Sequence, residues 1–532
     1  MSSTTPPERP DSQPEFRQGA LSAQREPFVP PRQVLDLVSG RLLDPGTALA
    51  VKGVRPRSTA YVGPRLIVSM TPDAPQVIQR LRDVAATLGW EVTVRADDEV
   101  KSRALTDARD VVPGVIRLDL TVTDERATIA PDGWILLQNA RAAYGLEAMS
   151  RVGLDHIVLL RSLDPNPFHR PSPFHRPSGA GDTTSEAVST YGLAGSGGRQ
   201  PIAYAGPAPQ RRRTSAIKGR RPVVATLDTG CGEHAWLEGV VTRGPTLDDE
   251  PIGYVDDPSD PEKWFDQVGA LDGGIDPLAG HGTFIAGLIH QGCPDADLVT
   301  WRIVGSDGPV VESDLVEALR GVAELARRHR DGEEGGLAID VFTLSMGYYH
   351  ETPEDLLFDP TMYDILRLMG QCGVAVVCSA GNDATARPMF PAAFAPWADG
   401  KGGVPASQDI VPVISVGALN PNGTDALFSN AGPWVRAYAP GAALLSTLPP
   451  TFQGGLQPAA RTEAYMRVRE SIDPDDFKGG FAVWSGTSFA APLFAGRLAA
   501  RLVGDIDPDH DDRKSARERA WNALTEITDL TR

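Results

Sequence analysis

Between residues 61 and 163 the hydrophobic and polar positions change period in a regular order. RLIVSM is a short apolar run of the kind that forms a strand, and residues 74–88 then place Val77, Ile78, Leu81, Val84 and Leu88 at helical spacing. EVTVRA reads as a second strand. After a polar gap GVIRLDLTV alternates like a strand, PDGWILLQNARAAYG reads as a helix starting near Pro131, and LDHIVLLR as a closing strand. The order βαβ, then βαβ, predicts a small α+β domain of the ferredoxin-like kind, an antiparallel sheet with both helices on one face.

From residue 221 to about 505 the pattern is different. Apolar runs without polar alternation (PVVATLD, DLVTWRIV, IDVFTLSMG, VAVVCSAGN) are separated by helical stretches at HGTFIAGLIH, 312–328 and 363–370. Strands apolar on both faces, alternating with helices, predict an α/β domain of three layers with a mainly parallel sheet. The last segment, 506–532, reads as a surface helix closing that domain. Residues 1–60 are Pro- and Arg-rich and read as a loose arm, with a short helix over 34–43. Residues 164–220 carry the near-repeat NPFHRPSPFHRPSG and the basic runs RRR and KGRR, and read as a linker. Those basic runs suit either a cleavage site or a solvated tether, and the tether is the plainer reading.

Composition narrows the function. The chain's 532 residues exceed what a single core sustains, consistent with at least two domains. A net charge of -18 argues against nucleic acid or an acidic membrane surface as a partner. No apolar run approaches the roughly 18 residues that cross a bilayer, so no membrane insertion is expected. The polar N-terminus lacks the apolar core of a secretory signal, and a cytoplasmic location is the expectation. Four scattered cysteines (Cys231, Cys293, Cys372 and Cys378) form neither a disulfide framework nor a zinc pattern.

In open α/β sheets ligands bind beyond the carboxyl ends of the strands, which singles out the polar residues just after apolar runs. These are Asp228 after PVVATL, then Ser345, Met346 and Gly347, then Ser379, Ala380, Gly381 and Asn382. Two helix starts complete the set, at His281 and at Ser488. A serine at a helix N-terminus gains from the dipole, and its amide there can bind a developing oxyanion. Ala490, Ala491, Ala495, Gly496 and Ala499 mark the Ser488 helix as tightly buried, and Pro492 is tolerable in its early turns.

DTG, HGTFIAG, SMG, SAGN and GTSFAAP, in this chain order, resemble the signatures of the subtilisin-like serine proteases (subtilases, peptidase family S8) over residues 222–503. Residues 424–447 are similar to the stretch between the Asn and Ser signatures of that family. The resemblance implies a serine endopeptidase acting on protein or peptide substrates, with Ser488 as nucleophile, His281 as base, Asp228 orienting the imidazole and Asn382 in the oxyanion hole. It also implies that Ser345, Met346, Gly347, Ser379, Ala380 and Gly381 line the first substrate pocket. Residues 305–311 offer an edge for a peptide to pair as an added strand. The chemistry needs no cofactor; structural calcium is common in the family, and no ligands for it are assigned.

Some features depart from the family. Phe284 stands where many members have a second histidine, which bears on packing more than on proton transfer. The 53 residues from Asp228 to His281 include an acidic stretch, TLDDEPIGYVDDPSDPEKW, that reads as an insertion able to cover the cleft or bind calcium. Cys231 lies three residues past Asp228, as a thiol open to mercurials or as packing. His234 reads as structural. The layout resembles a zymogen whose N-terminal domain inhibits the enzyme; a recognition module, or a silent scaffold that kept only the fold, are the alternatives.

Overall fold

The computed structural model describes residues 26–27, 29–98, 112–123, 129–160, 188–193, 195–268, 273–306, 308–352, 361–454, 461–470 and 477–531. The near-repeat at 166–179 and residues 1–25 of the arm lie outside them.

The N-terminal domain starts with α1 (Arg32–Leu37) and β1 (Gly40–Leu43), followed by β2 (Thr59–Ser69), α2 (Ala74–Thr87), β3 (Trp90–Val94), β4 (Val115–Val122), α3 (Gly133–Tyr144) and β5 (Val152–Val158). The sheet order β5-β2-β4-β3, antiparallel throughout, is that of a ferredoxin-like domain. Leu66 and Val68 of β2 and Ile116 and Leu118 of β4 meet the apolar stripe of α2 and the buried Trp134 and Leu137 of α3 in one core. Asp132 caps α3 by accepting from Ile135 N at 3.1 Å, which fixes the helix start near Pro131. Part of the expected arm is knitted into this domain. The apolar run at 34–43 divides into a short helix and a strand, and β1 pairs with β2 along its length, because Leu43 is buried in the same core.

The second domain holds β6 (Gln200–Ile202), β7 (Val223–Asp228), β8 (Val241–Arg243), α4 (His281–Gly292), β9 (Asp297–Arg302), β10 (Val310–Val311), α5 (Glu312–Asp331), β11 (Val341–Leu344), α6 (Thr361–Gln371), β12 (Ala375–Ser379), β13 (Ile414–Leu419), β14 (Ala437–Pro440), β15 (Leu444–Thr447), β16 (Arg461–Ala464), β17 (Arg467–Glu470), β18 (Phe481–Trp484), α7 (Thr487–Leu502) and α8 (Arg513–Ile527). Seven strands form a parallel sheet in the order β14-β13-β12-β11-β7-β9-β8. Alternate residues face two separate cores. Val224, Val341 and Val377 pack with Phe284, Ile285 and Ala490 on the side of α4 and α7. Their neighbours Ala225, Phe342 and Val376 pack with Leu315, Leu319 and Ile365 of α5 and α6. Both faces of the sheet are thus covered, which is why its strands carry no polar alternation. Where α4 crosses α7, a Cβ on Gly292 would sit 3.0 Å from Gly496 Cα, so the closeness of these two helices depends on small residues. α8, the segment expected to close the domain, buries Ala520, Trp521 and Leu524 in the core that includes α7.

The linker expected over 164–220 needs the larger correction. From residue 188 the chain is part of the second domain, and β6 pairs with β18. Arg199 is buried over the Trp484 ring and donates to Ala279 O, Ile275 O and Asp276 O at 2.7 to 2.9 Å. The basic runs are bound as well. Arg212 meets Asp295 at 2.7 Å, Arg220 meets both Asp340 and Asp511 at 2.6 Å, and Arg211 pairs with Asp297. A Pro, Gly and Arg composition describes a tether only when its charges stay in water. These charges have carboxylate partners tens to hundreds of residues away, which local composition does not reveal.

Candidate active site

Asp228 ends β7 at the centre of the parallel sheet and is fully buried. Its Oδ1 accepts from Thr229 N at 2.8 Å and lies 2.7 Å from Nδ1 of His281. His281 is the first residue of α4. The turn before it requires Gly280 in the left-handed region (φ 78°), where a Cβ would also collide with Leu448 at 2.3 Å. The imidazole is wedged against Phe489 and Trp484, with ring centroids 5.1 and 5.6 Å away. Nε2 of His281 makes no hydrogen bond to any described residue. With Nδ1 held by the carboxylate, Nε2 is the nitrogen left to accept a proton.

Ser488 lies in the first turn of α7. Its hydroxyl donates to Ser345 O at 3.3 Å, while the Ser345 hydroxyl donates to Ser488 O at 2.9 Å. The imidazole is thus oriented by Asp228, while the Ser488 hydroxyl is bonded to the continuation of β11. Asn382 follows β12 and the tight turn at Gly381 (φ 100°). Its Oδ1 accepts from Thr487 N and Thr487 Oγ1 at 2.9 and 2.8 Å, so the carbonyl end of the carboxamide is committed to the start of α7 and donation falls to Nδ2. Gly381 N donates to Thr487 Oγ1 at 3.0 Å, tying the two segments together. All four residues singled out in the sequence therefore gather at the carboxyl end of the sheet.

The flanking residues are also placed. Ser345 bridges to Ser488 as above, Met346 is buried, and Gly347 exchanges two backbone hydrogen bonds with Leu159 of the N-terminal domain at 3.0 and 3.2 Å. Ser379 and Ala380 are buried at the end of β12. Phe284 is enclosed by Phe489 and Trp484 at 4.5 and 5.7 Å, purely as packing. His234 is structural, accepting from Trp236 N at 3.0 Å. Cys231 is packing too: burial pushes its thiol up to about 12, which leaves almost no thiolate for a mercurial to find.

One residue that the sequence reading passed over is Glu262, from the acidic insertion. It is buried, and its carboxylate accepts from Gly282 N at 2.8 Å, from Thr283 N at 3.3 Å, and from the hydroxyls of Thr229 and Thr283. It caps the helix that begins at His281 and anchors the threonine that supports Asp228. Burial pushes the Glu262 carboxyl up to about 7 against the pull of these donors. Elsewhere in the insertion Arg302 bonds Asp256 at 3.1 Å, Lys263 pairs with Asp257, and Arg328 meets Asp248 at 2.6 Å.

The family model for the subtilase family matches residues 219–507, more than half of the chain. The chain belongs to the subtilase family. Among curated subtilases it is 26% identical over 297 residues to "Intracellular serine protease" of Paenibacillus polymyxa, which covers 53% of this chain and 67% of that protein. It is 24% identical over 326 residues to "Major intracellular serine protease" of Bacillus subtilis strain 168, covering 59% and 77%. Among solved subtilase structures, fervidolysin from Fervidobacterium pennivorans aligns with a TM-score of 0.44 and 18% identity over 86% of this chain; this chain spans 58% of that one. Among the described residues of this subtilase, no helix is long and apolar enough to cross a membrane.

Proposed function

We propose that the chain is a serine endopeptidase that hydrolyses peptide bonds through an acyl-enzyme on Ser488. The observation that carries this reading is the Asp228–His281 contact of 2.7 Å at the end of a central strand, with His281 Nε2 bonded to none of the described residues and Ser488 and Asn382 gathered at the same helix start. His281 takes the Ser488 proton as Oγ attacks the carbonyl, then returns it to the leaving amine, and a water repeats the sequence on the ester. Asp228 holds the tautomer and offsets the imidazolium charge. Nδ2 of Asn382 and the backbone amide of Ser488 donate to the oxyanion.

The N-terminal domain is the resident inhibitor in this reading. Two edges suited to an extended substrate peptide are already paired with it: Val310 and Val311 with Val158 and Ile157, and Gly347 with Leu159. Asp155 accepts from Ser313 N and Ser313 Oγ, both at 2.9 Å, and so caps α5 from the other domain; Arg117 meets Asp314 of α5 at 3.2 Å. The word "intracellular" in the names of the two relatives supports an intracellular site of action.

A fluorophosphonate probe applied to the full chain and to Ser488→Ala tests the proposal. Labelling confined to the unsubstituted protein, rising as a new N-terminus appears between 161 and 187, is the expected result. Absence of labelling after the N-terminal domain has been removed would make the chain a silent scaffold. Full labelling of the intact chain would instead make that domain a recognition module.

A further inference from the structure

Two stretches of backbone deliver the base and the nucleophile: residues 275–280 lead into His281, and β18 leads through Ser485 to Ser488. Both are fastened to one short segment, residues 197–202, which lies outside the residues 219–507 that carry the family likeness. On the nucleophile side β6 pairs with β18, with Gln200 opposite Val483 and Ile202 opposite Phe481. The Ser485 hydroxyl donates to Gly197 O at 2.6 Å and accepts from Ala443 N at 2.8 Å. Gly197 is needed for that contact: it stands at φ 106°, and a Cβ would lie 2.8 Å from the same Ser485 oxygen.

On the base side the fastening is Arg199, which is buried. Its Nη1 donates to Ala279 O at 2.9 Å, and its Nη2 donates to Ile275 O at 2.9 Å and to Asp276 O at 2.7 Å. One planar fork thus gathers three carbonyls of the turn that ends at His281, a geometry that suits a guanidinium and not a point charge. The same guanidinium lies 4.5 Å over the Trp484 ring. Trp484 in turn stands nearly perpendicular to the imidazole at 5.6 Å and packs on Phe489 at 5.0 Å, and Phe489 meets the imidazole at 5.1 Å. Two routes therefore run from Arg199 to the imidazole: along the backbone into the helix start, and through Trp484 onto the ring.

We propose that Arg199 is a positioning residue of the protease, setting the place of His281 relative to Ser488 through the turn and the Trp484 ring. Its effect on turnover rests on the endopeptidase reading; its effect on the imidazole does not. Removing the guanidinium takes a donor from three carbonyls and uncovers one face of Trp484, so the turn and the ring both gain freedom. Displacing a reacting group by about 1 Å costs about 100-fold in rate, even when the change that causes it lies away from the chemistry. The proposal also assigns residues 197–202 to the working enzyme and not to the inhibitory part. A cut between 161 and 187 keeps this segment joined to the catalytic chain, whereas a cut in either basic run, at 211–213 or 218–221, would break that link.

The test places Arg199→Met and Arg199→Lys in the full chain and assays the enzyme that each yields once the N-terminal domain is cut away, with denaturant midpoints to show that each is folded. Arg199→Met is expected to lower kcat by about 10- to 100-fold with KM little changed. Arg199→Lys, which keeps a charge but neither the fork nor the flat stacking face, should recover part of that loss, and it carries the test if Arg199→Met does not fold. An unchanged kcat in the folded variant overturns the proposal, and so does a loss confined to KM, which would assign Arg199 to substrate binding. The second readout needs no turnover: the proton between His281 Nδ1 and Asp228, followed far downfield by proton NMR in the Ser488→Ala chain with and without Arg199→Met. A shifted or broadened resonance is expected, and an unchanged one overturns the proposal. A shifted resonance in a chain that no fluorophosphonate labels would sink the endopeptidase reading and leave the positioning of His281 by Arg199 standing.

Discussion

Two of the buried histidines in this subtilase, His281 and His156, sit within 2.7 Å of carboxylates, and their surroundings differ in one respect. His281 is held on a single side, by Asp228 at Nδ1, and its other nitrogen makes no hydrogen bond among the described residues. His156 is held on both sides, by Glu312 and Glu351. An imidazole anchored at one nitrogen is aimed and able to receive a proton; one anchored at both is a tie between elements. The one-sided histidine sits at the carboxyl end of the parallel sheet with the serine helix. The two-sided one sits where the domains meet. Burial and a carboxylate partner are therefore shared features, and the second nitrogen is what separates a reactive arrangement from a structural one.

The largest effect should come from breaking the one-sided arrangement. Ser488→Ala is expected to lower turnover of a peptide substrate by about 10⁶-fold, a magnitude known from a subtilisin and so from this family. Asp228→Asn should lower it by about 10⁴-fold by presenting the wrong tautomer, measured as kcat on enzyme freed of its N-terminal domain. Asn382→Ala should cost about 10²- to 10³-fold in kcat with KM little changed, again a figure from a subtilisin. A loss confined to KM would assign Asn382 to substrate binding instead.

Glu262 refines the same comparison, because it holds the His281 helix without touching the imidazole. Glu262→Ala leaves two helix-start amides buried without their acceptor and should lower stability by about 1 to 3 kcal/mol, read from the denaturant midpoint. Its pH dependence has a definite sign. A carboxyl raised from 4.5 to about 7 in the folded state binds its proton more tightly folded than unfolded. Its contribution is therefore full below pH about 4.5 and declines as pH rises through about 7. Glu262→Gln should flatten stability across that window, and an unchanged pH profile would show that the carboxylate does not titrate there.

How much of this was legible in the chain follows from how far each signal reaches. Asp228, His281, Asn382 and Ser488 each sit where an apolar run ends or a helix begins, so period and local chemistry put them among the candidates, the resemblance to the subtilases picked out these four, and the structure gathers them at one end of the sheet. The ferredoxin-like domain was legible for the same reason, from the alternation of β4 and the stripe of α2. Glu262 was not, because a glutamate in an acidic stretch announces nothing until the fold sets it against the amides of Gly282 and Thr283. Arg199, Arg212 and Arg220 misled in the opposite direction, since their partners are 76 or more residues away in sequence. His156 was hidden inside LDHIVLLR, where only the pairing of the two domains supplies Glu312 and Glu351.

The smallest effect belongs to the residue beside His156. Asp155 is fully buried, accepts two hydrogen bonds from Ser313, and meets Arg65 at 3.2 Å. Asp155→Asn keeps the size and one acceptor oxygen but removes the charge opposite Arg65 and the helix start. Losing a cap of this kind is worth about 0.5 to 2 kcal/mol. In the Ser488→Ala background it should show as a slightly easier release of the N-terminal domain, followed by limited proteolysis between 161 and 187 across a denaturant series. If Asp155→Asn loosened the junction more than His156→Ala, the cap and not the two-sided histidine would be the main tie, and the contrast between the two histidines would lose its structural half.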